Sequence, residues 1–471
     1  MPLPLSSGDM MSTNHDNLNL LYVFADQWRA QAVGCAGADA VSTPHMDAFA
    51  KQSVICDNAV STYPLCSPHR AALLTGRHPL SCGFWTNCKA PMQGAPFLRD
   101  TEITIGDVAS AAGYDTAYIG KWHLSDSELN HVDHPASGAS GWDAYTPPGP
   151  GRHGFRFWHS YGAMDDHLHP HYWENTPEQI HVNQWSPIHE TDMLLSYLES
   201  HPKNRPFVAF LSWNPPHPPY RETDSSFQTL YRDMPFRENV PQAWRDDPDY
   251  LENRVAYFGA VSALDREFGR ITKYLEATGL MHSTIVVLSA DHGDMMGSHG
   301  LYGKNVWYDE ATRIPLIIHD PRLAPARESC LFASEDHAPT LLELLGLPIP
   351  SVMEGISHAK TLREESQKER EWMYQCMMPG MPDLVKPLRG EGLEPQAFGW
   401  RAVRTENTLF VLNAGTAPRM PVQCFQYDLH EDPYQDHPSY PTAQEQSEYR
   451  SLMRQAAQQV GDPFGPLREQ P

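Results

Sequence analysis

Short apolar runs that stop abruptly at polar residues recur along this chain. LNLLYVFADQWR holds an unbroken apolar stretch, Leu20 to Ala25, that ends at Asp26 and Gln27. DTAYIGKWH runs into Lys121 and His123, PFVAFLSWNPPHPPY into Asn214 and His217, and STIVVLSADHGD into Asp291 and His292. Short continuous runs rich in Leu, Val and aromatics read as buried strands. Between them lie helix-like segments: PHMDAFAKQSV, TIGDVASAAG, HETDMLLSYLES and VAYFGAVSALDREFGRITKYLEATG. The last has apolar residues at helical spacing and ends at Gly279, a suitable cap. Strands alternating with helices predict an α/β fold, a large mostly parallel sheet sandwiched by helices. In such sheets functional groups gather beyond the carboxyl ends of the strands. Here four strand ends carry Asp, Gln, Lys, His or Asn, so the pattern alone points to a site there.

The pattern fades between 130 and 190. GWDAYTPPGPGRHGFRFWHSYGAMDDHLHPHYWENT is rich in Gly, Pro, His and aromatics and has little periodicity, which reads as an ordered loop near the cleft. The charged stretch KTLREESQKEREWMY follows at 360–374. After it, GWRAVRTENTLFVLN and CFQYDLHEDP read as two strand-like segments, and AQEQSEYRSLMRQAAQQV as a closing helix. The expected organisation is a loose polar tail over 1–17, a catalytic domain over 18–370 and a smaller C-terminal α+β subdomain over 371–471.

Charge narrows the choice of partner. With 35 Lys and Arg against 58 Asp and Glu, the net charge is −23. A general positive field is missing, which argues against nucleic acid or an anionic membrane as partner. A few buried cations or a metal can still hold an anionic substrate. No run approaches the ~18 apolar residues of a membrane span. The N-terminal residues show neither the basic nor the apolar region of a signal peptide. The chain as it stands is therefore expected in the cytoplasm, or in the periplasm or medium if an upstream signal was removed. Eight cysteines without a CxxC pair read mostly as free thiols.

One cysteine stands out, Cys66 in STYPLCSPHRAALLTGRHP. A phosphatase-type thiolate would want an arginine six positions on, where Ala72 stands. A zinc ligand would want neighbours at metal-type spacing, and none is convincing. Pro68 and RAALL suit the first turns of a helix. Residue 66 then lies at or just before a helix N-terminus, where free N–H groups favour an anion, with Arg70 one turn on. Lys121 and His123 would share one side of an extended segment. His217 lies in a proline-stiffened turn, suited to a group that must be aimed.

These residues resemble the sulfatases of the alkaline-phosphatase-like superfamily. Cys66-Ser67-Pro68-His69-Arg70 and Leu73-Leu74-Thr75-Gly76-Arg77 match their signature. GKWHL at 120–124, SADHGDMMGSHGLYGK at 289–304 and EATRIPLII at 310–318 extend the likeness over 17–435. PPGPGRHGF and the aromatic, His-rich segment after it look like bacterial carbohydrate sulfatases. The resemblance implies that a separate formylglycine-generating enzyme oxidises Cys66 to Cα-formylglycine. Its hydrate carries two hydroxyls on one carbon: one attacks sulfur, and the other later expels sulfate by collapse to the aldehyde. It further implies Asp26, Gln27, Asp291, His292 and residue 66 as ligands of a divalent cation, Ca²⁺ before Mg²⁺ or Mn²⁺. Gln27 departs from the commoner second Asp, and His292 stands where many relatives have Asn. His123 would orient or deprotonate the nucleophile, and His217 would protonate the leaving alcohol. Arg70, Lys121 and Lys304 would neutralise the sulfate.

The implied reaction is hydrolysis of an O-sulfate ester on a sulfated poly- or oligosaccharide. A phosphonate monoester or phosphodiester hydrolase of the same superfamily is the first alternative. Those enzymes share the formylglycine signature and a similar DQWR but generally lack Gly-Lys-Trp-His. A non-catalytic sulfoglycan-binding relative is the second, and it would be expected to lose one or more of these groups. Arg152, His153, Asp309 and Arg313 are candidate substrate contacts. His167, His169 and His171 read as cleft lining or surface, and His299 has no assigned role.

Overall fold

Every residue of β1 (Asn19–Asp26) is buried, so both faces of the strand are covered, as its unbroken apolar run requires. The same holds for β7 (Phe207–Pro216) and β8 (Thr284–Ala290). The structure is a computed structural model that describes residues 18–89, 92, 94–364 and 370–468. The expected tail over 1–17 lies outside the described residues, as do 365–369 of the charged stretch.

With β2 (Val54–Val60), β3 (Asp115–Lys121), β4 (Phe157–Tyr161), β9 (Leu316–His319) and β10 (Ala326–Ala333), these strands form an eight-stranded sheet. Its order is β10-β2-β9-β8-β1-β7-β3-β4. Only β9 runs antiparallel to its neighbours. This is the expected mixed α/β, mostly parallel architecture. The four strands with polar ends, β8, β1, β7 and β3, are consecutive in the sheet and mutually parallel, so their carboxyl ends converge on one edge.

The helices α1 (Pro44–Ala50), α2 (Cys66–Thr75), α3 (Ile105–Ala111) and α4 (Ser186–Ser200) occupy the expected segments. A long helix, Pro248–Ala277, starts with proline after an Asp247 side chain that accepts from the N–H groups of Asp249 and Tyr250. Gly279 follows in the left-handed region, φ 76°. Among the described residues no helix is long and apolar enough to cross a membrane.

Two expectations need correction. The 130–190 segment is not only loop. It contributes β4, paired in parallel with β3 at the sheet edge, and a small ladder of β5 (His171–Tyr172) with β6 (Ile180–His181). Among the described residues the C-terminal strands number four, not two. GWRAVRTENTLFVLN folds back on itself as β12 (Trp400–Arg404) and β13 (Thr408–Asn413), flanked by β11 (Met373–Met377) and β14 (Gln423–Asp428) in an antiparallel sheet. The helix Ala443–Val460 begins with a Thr442/Glu445 capping box and buries Met453, Ala456 and Ala457 with this sheet.

The two sheets are joined near the site. The Cys376 N–H donates to Thr62 O at 3.0 Å. Arg404 Nη1 meets Asp309 Oδ1 at 2.6 Å in a buried ion pair.

Candidate active site

Each strand end delivers its polar groups by a local device. At β1 the pairing with β7 bulges between Ala25 and Asp26, and Gln27 adopts φ 65°, which turns the chain out of the sheet. At β3, Gly120 takes φ 92°, and a Cβ there would lie 2.1 Å from Ser212 O. Only glycine permits this approach of β3 to β7, and Lys121 follows directly. Lys121 and His123 do reach the same site, but not along an extended segment. β3 ends at Lys121, and His123 is left-handed at φ 53°.

α2 starts at Cys66, preceded by Leu65 in extended conformation, so residue 66 occupies the first helical position as the Pro68 pattern suggests. Gly76 closes the helix with φ 63°. The whole helix is buried. Its first turn is tied to the following segment: Ser67 N–H donates to Asn87 Oδ1 at 2.9 Å, and Cys88 N–H to Ser67 Oγ at 3.1 Å.

Around Cys66 the fold collects Asp26, Asp291 and His292, all buried, with donor atoms within 4.8 Å of one another. Cys66 Sγ is 3.3 Å from His292 Nε2 and 3.6 Å from Asp26 Oδ1. His292 Nε2 lies 3.5 Å from Asp291 Oδ1. His292 Nδ1 faces Gly293 O at 3.1 Å, so Nδ1–H donates there and Nε2 is turned to the cluster. Gln27 Oε1 accepts from Lys304 Nζ at 2.6 Å, and Gln27 Nε2 donates to Asp294. The charges are unevenly held. Burial works against ionising Asp26, but Lys121, His217, Lys304 and His292 bring it well below the usual carboxylate range. Asp291 is pushed up by burial and by the Asp26 charge beside it. Burial and Asp26 oppose a thiolate at Cys66, yet Lys304, Lys121 and His292 hold it well below the usual thiol range. Two carboxylates and an imidazole nitrogen crowded in this way fit a divalent cation, and Lys304 links the Gln27 amide oxygen to them.

Arg70 lies beneath the cluster. Its Nε and Nη2 donate to Asp291 Oδ2 and Asp26 Oδ2, each at 3.1 Å, and Nη1 to Lys121 O at 2.7 Å and Ser212 Oγ at 2.8 Å. The guanidinium is thus committed to the carboxylates. Lys121 Nζ meets Asp26 Oδ2 at 2.8 Å and Asn214 Oδ1 at 2.9 Å. Lys304 Nζ reaches Cys66 Sγ at 3.3 Å. His123 Nε2 is 3.0 Å from Cys88 O, so it carries the proton, while buried Nδ1 has no hydrogen-bond partner among the described residues. Burial lowers the basicity of His123, and the Cys66 thiolate partly restores it. His217 Nδ1 faces Pro218 O at 2.8 Å and Asp165 Oδ1 at 3.4 Å.

Asn214 lies near the end of β7, yet its grip on Lys121 is visible only in three dimensions. Asp165 lay unremarked in the aperiodic loop. Asp294, which accepts from Gln27 and from Tyr220 Oη at 2.6 Å, stands three residues after Asp291, the one signal available for it.

Other candidates fall outside the site. Asp309 is buried against Arg404 and Arg313. Arg152 is buried and donates to Thr146 O, and His153 is buried 3.4 Å from Asp107. These four are held within the fold and do not line the cleft. His167 Nε2 lies 2.8 Å from His217 O and supports that turn, whereas His169 and His171 line the cleft. His299 stacks on Tyr308, ring centres 3.9 Å apart. All eight cysteines are free.

Comparison with known proteins places this geometry. The Sulfatase family profile matches residues 18–347. The chain belongs to the sulfatase family. As a sulfatase it is a sulfuric ester hydrolase. An endo-4-O-sulfatase of Bacteroides thetaiotaomicron is 34% identical over 88% of this chain and 87% of its own length. An ulvan-active sulfatase of Formosa agariphila is 30% identical over 95% and 82% respectively. A solved structure of a protein from the Bacteroides thetaiotaomicron locus for metabolism of multiple glycosaminoglycans superposes with TM-score 0.84 at 32% identity. It covers 95% of this chain and 97% of its own. The family implies a divalent metal and a formylglycine, and the buried Asp26, Cys66, Asp291 and His292 are consistent with both.

Proposed function

We propose that this sulfatase hydrolyses an O-sulfate ester on a poly- or oligosaccharide, with residue 66 acting as Cα-formylglycine. One observation carries the carbohydrate reading. The cleft over Cys66 has a volume of about 1490 Å³, larger than a small-molecule site needs, and Trp142, Trp307 and Trp400 lie in its walls. Indole faces suit sugar rings, and the cations at the floor suit sulfate. Both relatives described above are named for sulfatase action, one of them on ulvan.

Asp26, Asp291, His292, the Gln27 amide oxygen and residue 66 would hold the cation, which we take to be Ca²⁺, with Mg²⁺ or Mn²⁺ as alternatives. When bound, it lowers the pKa of the hydroxyl at residue 66 and takes up negative charge from the sulfuryl oxygens. The aldehyde hydrate gives residue 66 a nucleophile and a second hydroxyl for release of sulfate. Lys121 and Lys304 donate to sulfate oxygens as charge shifts during S–O cleavage. His123 receives a proton at Nδ1, because Nε2–H is already given to Cys88 O. His217 holds Nδ1–H on Pro218 O and presents Nε2–H to the departing sugar oxygen.

The test is co-expression with a formylglycine-generating enzyme, followed by intact-mass measurement and assays on defined sulfated oligosaccharides and an aryl phosphonate. The expected mass change at residue 66 is a loss of roughly 18 Da. The expected kcat/KM is higher for a sulfated sugar than for the phosphonate. The opposite order, or full turnover by Cys66→Ala, would sink the reading.

A further inference from the structure

Three lysines line the cleft, and they are not equivalent. Lys121 and Lys304 each lie against Asp26. Lys89 is as deeply placed, 2% exposed, yet among the described residues it has no carboxylate partner. Its Nζ donates to Gly380 O, and it lies 5.2 Å from the centre of the Trp142 ring. Lysine is almost never buried without an opposite charge. Burial pulls this ammonium down to about 8, partly opposed by the Cys66 thiolate.

The position of Lys89 is also fixed. Cys88 N–H is bonded to Ser67 Oγ in the first turn of α2, and Asn130 Nδ2 donates to Lys89 O at 3.1 Å. Asn130 is itself bonded to Asp126 Oδ1 at 2.7 Å. The backbone is therefore tied to the nucleophile's helix on one side and to a neighbouring loop on the other. The side chain spans to Gly380, on the segment just after β11. Lys89 makes no hydrogen bond to Cys66 or to the acid cluster, unlike Lys304; its ammonium is held by Gly380, on the opposite wall of the same cleft.

We propose that Lys89 is a specificity-determining residue that binds a second anionic group of the carbohydrate substrate, a uronate carboxylate or a further O-sulfate, next to the ester being cleaved. This rests on the carbohydrate reading above. An anion meeting Lys89 would supply the missing counter-charge, and the carbonyl of Gly380 fixes the ammonium's direction before the substrate arrives. Substrates without that group leave the buried charge unpaired and bind less well.

The experiment uses the matured enzyme and matched sulfated disaccharides. One carries a uronate carboxylate beside the sulfated sugar, one is its carboxyl-reduced counterpart, and one bears a second O-sulfate in place of the carboxylate. Wild type is expected to prefer one or both dianionic sugars over the reduced one by roughly tenfold or more in kcat/KM, chiefly through KM, and the preferred one identifies the anion. Lys89→Met should collapse that ratio toward unity, and Lys89→Arg should keep most of it. Melting temperature and intact mass verify that each variant is folded and carries the modification. If Lys89→Met lowers kcat/KM equally on all three sugars, Lys89 acts on the cleaved sulfate and the proposal fails. It fails equally if wild type shows no preference, or if the variant keeps it. An enzyme that cleaves none of the sugars but cleaves the aryl phosphonate would instead overturn the carbohydrate reading itself. Should Lys89→Met not fold, Lys89→Gln takes its place.

Discussion

Arg70 carries the largest share of the site's internal organisation. Its charge balances two acids that would otherwise repel, and its donors fix one oxygen of each. A lysine at position 70 offers a single ammonium in place of the planar fork and could not hold both acids while also reaching Lys121 O and Ser212 Oγ. Arg70→Lys is expected to lower Tm by several degrees and to weaken metal binding about tenfold or more, read as a smaller Tm gain on adding Ca²⁺ to chelator-treated protein. An unchanged metal-dependent gain would show that Arg70 does not hold the acids in place. This role was not legible in the chain. The CxPxR spacing puts Arg70 near residue 66, but which acceptors its five donors meet depends on three other strands. Asp26, Gln27, Asp291 and His292 could be placed at strand ends because each pair directly follows an apolar run, but their role as ligands, and that of Cys66, came from the resemblance to the sulfatases. Asn214 was only half legible: its place near a strand end could be read, its hold on Lys121 could not. Asp165 was not, because its loop has no period to measure it against.

At the scale of elements, the central strands could be read because burial on both faces leaves no polar alternation to obscure them. β4 could not. Phe157–Tyr161 buries His159 and Ser160 among aromatics, so its composition resembles the loop around it. β11 was hidden at the end of a charged stretch, and β12 and β13 read as one segment because Thr405–Asn407 is a short turn. Packing also creates a titration that no local pattern announces. Glu190 of α4 is fully buried and accepts from Tyr172 Oη at 3.1 Å, while its Oε2 has no hydrogen-bond partner among the described residues. Burial pushes its carboxyl up to about 8, only partly offset by the Tyr172 hydrogen bond. The folded acid stays protonated where the unfolded one, near 4.5, is ionised. The folded state then holds one more proton across that window, so stability falls as pH rises from about 4.5 to about 8. Glutamine mimics the protonated acid. Glu190→Gln should match wild type at pH 4 to 5 and exceed it by roughly 1–3 kcal/mol at pH 8 in urea unfolding. Parallel pH profiles for the two proteins would refute a neutral Glu190.

Across the whole molecule, the cleft belongs to both sheets. The large one supplies the floor through four strand ends. The small one supplies part of the wall: Trp400 begins β12, its Nε1–H donating to Asn305 O at 2.9 Å, and Met378 follows β11, its N–H donating to Tyr63 Oη at 3.1 Å. Asp309 and Arg404 join the two where neither charge meets water, and Asp309 is held below the usual carboxylate range, burial being outweighed by Arg404 and Arg313. Removing one member of such a pair leaves a buried charge, which typically costs about 3–5 kcal/mol, whereas removing both costs much less. Arg404→Met should therefore destabilise the protein by roughly 3 kcal/mol, and adding Asp309→Asn should recover at least half of that loss. If the pair also seats the wall, Arg404→Met should reduce kcat/KM on a sulfated oligosaccharide more than on a small aryl sulfate, because only the larger substrate reaches Trp400. Additive destabilisation in the double variant, with equal losses on both substrates, would mean that the small sheet is attached to the site without shaping it.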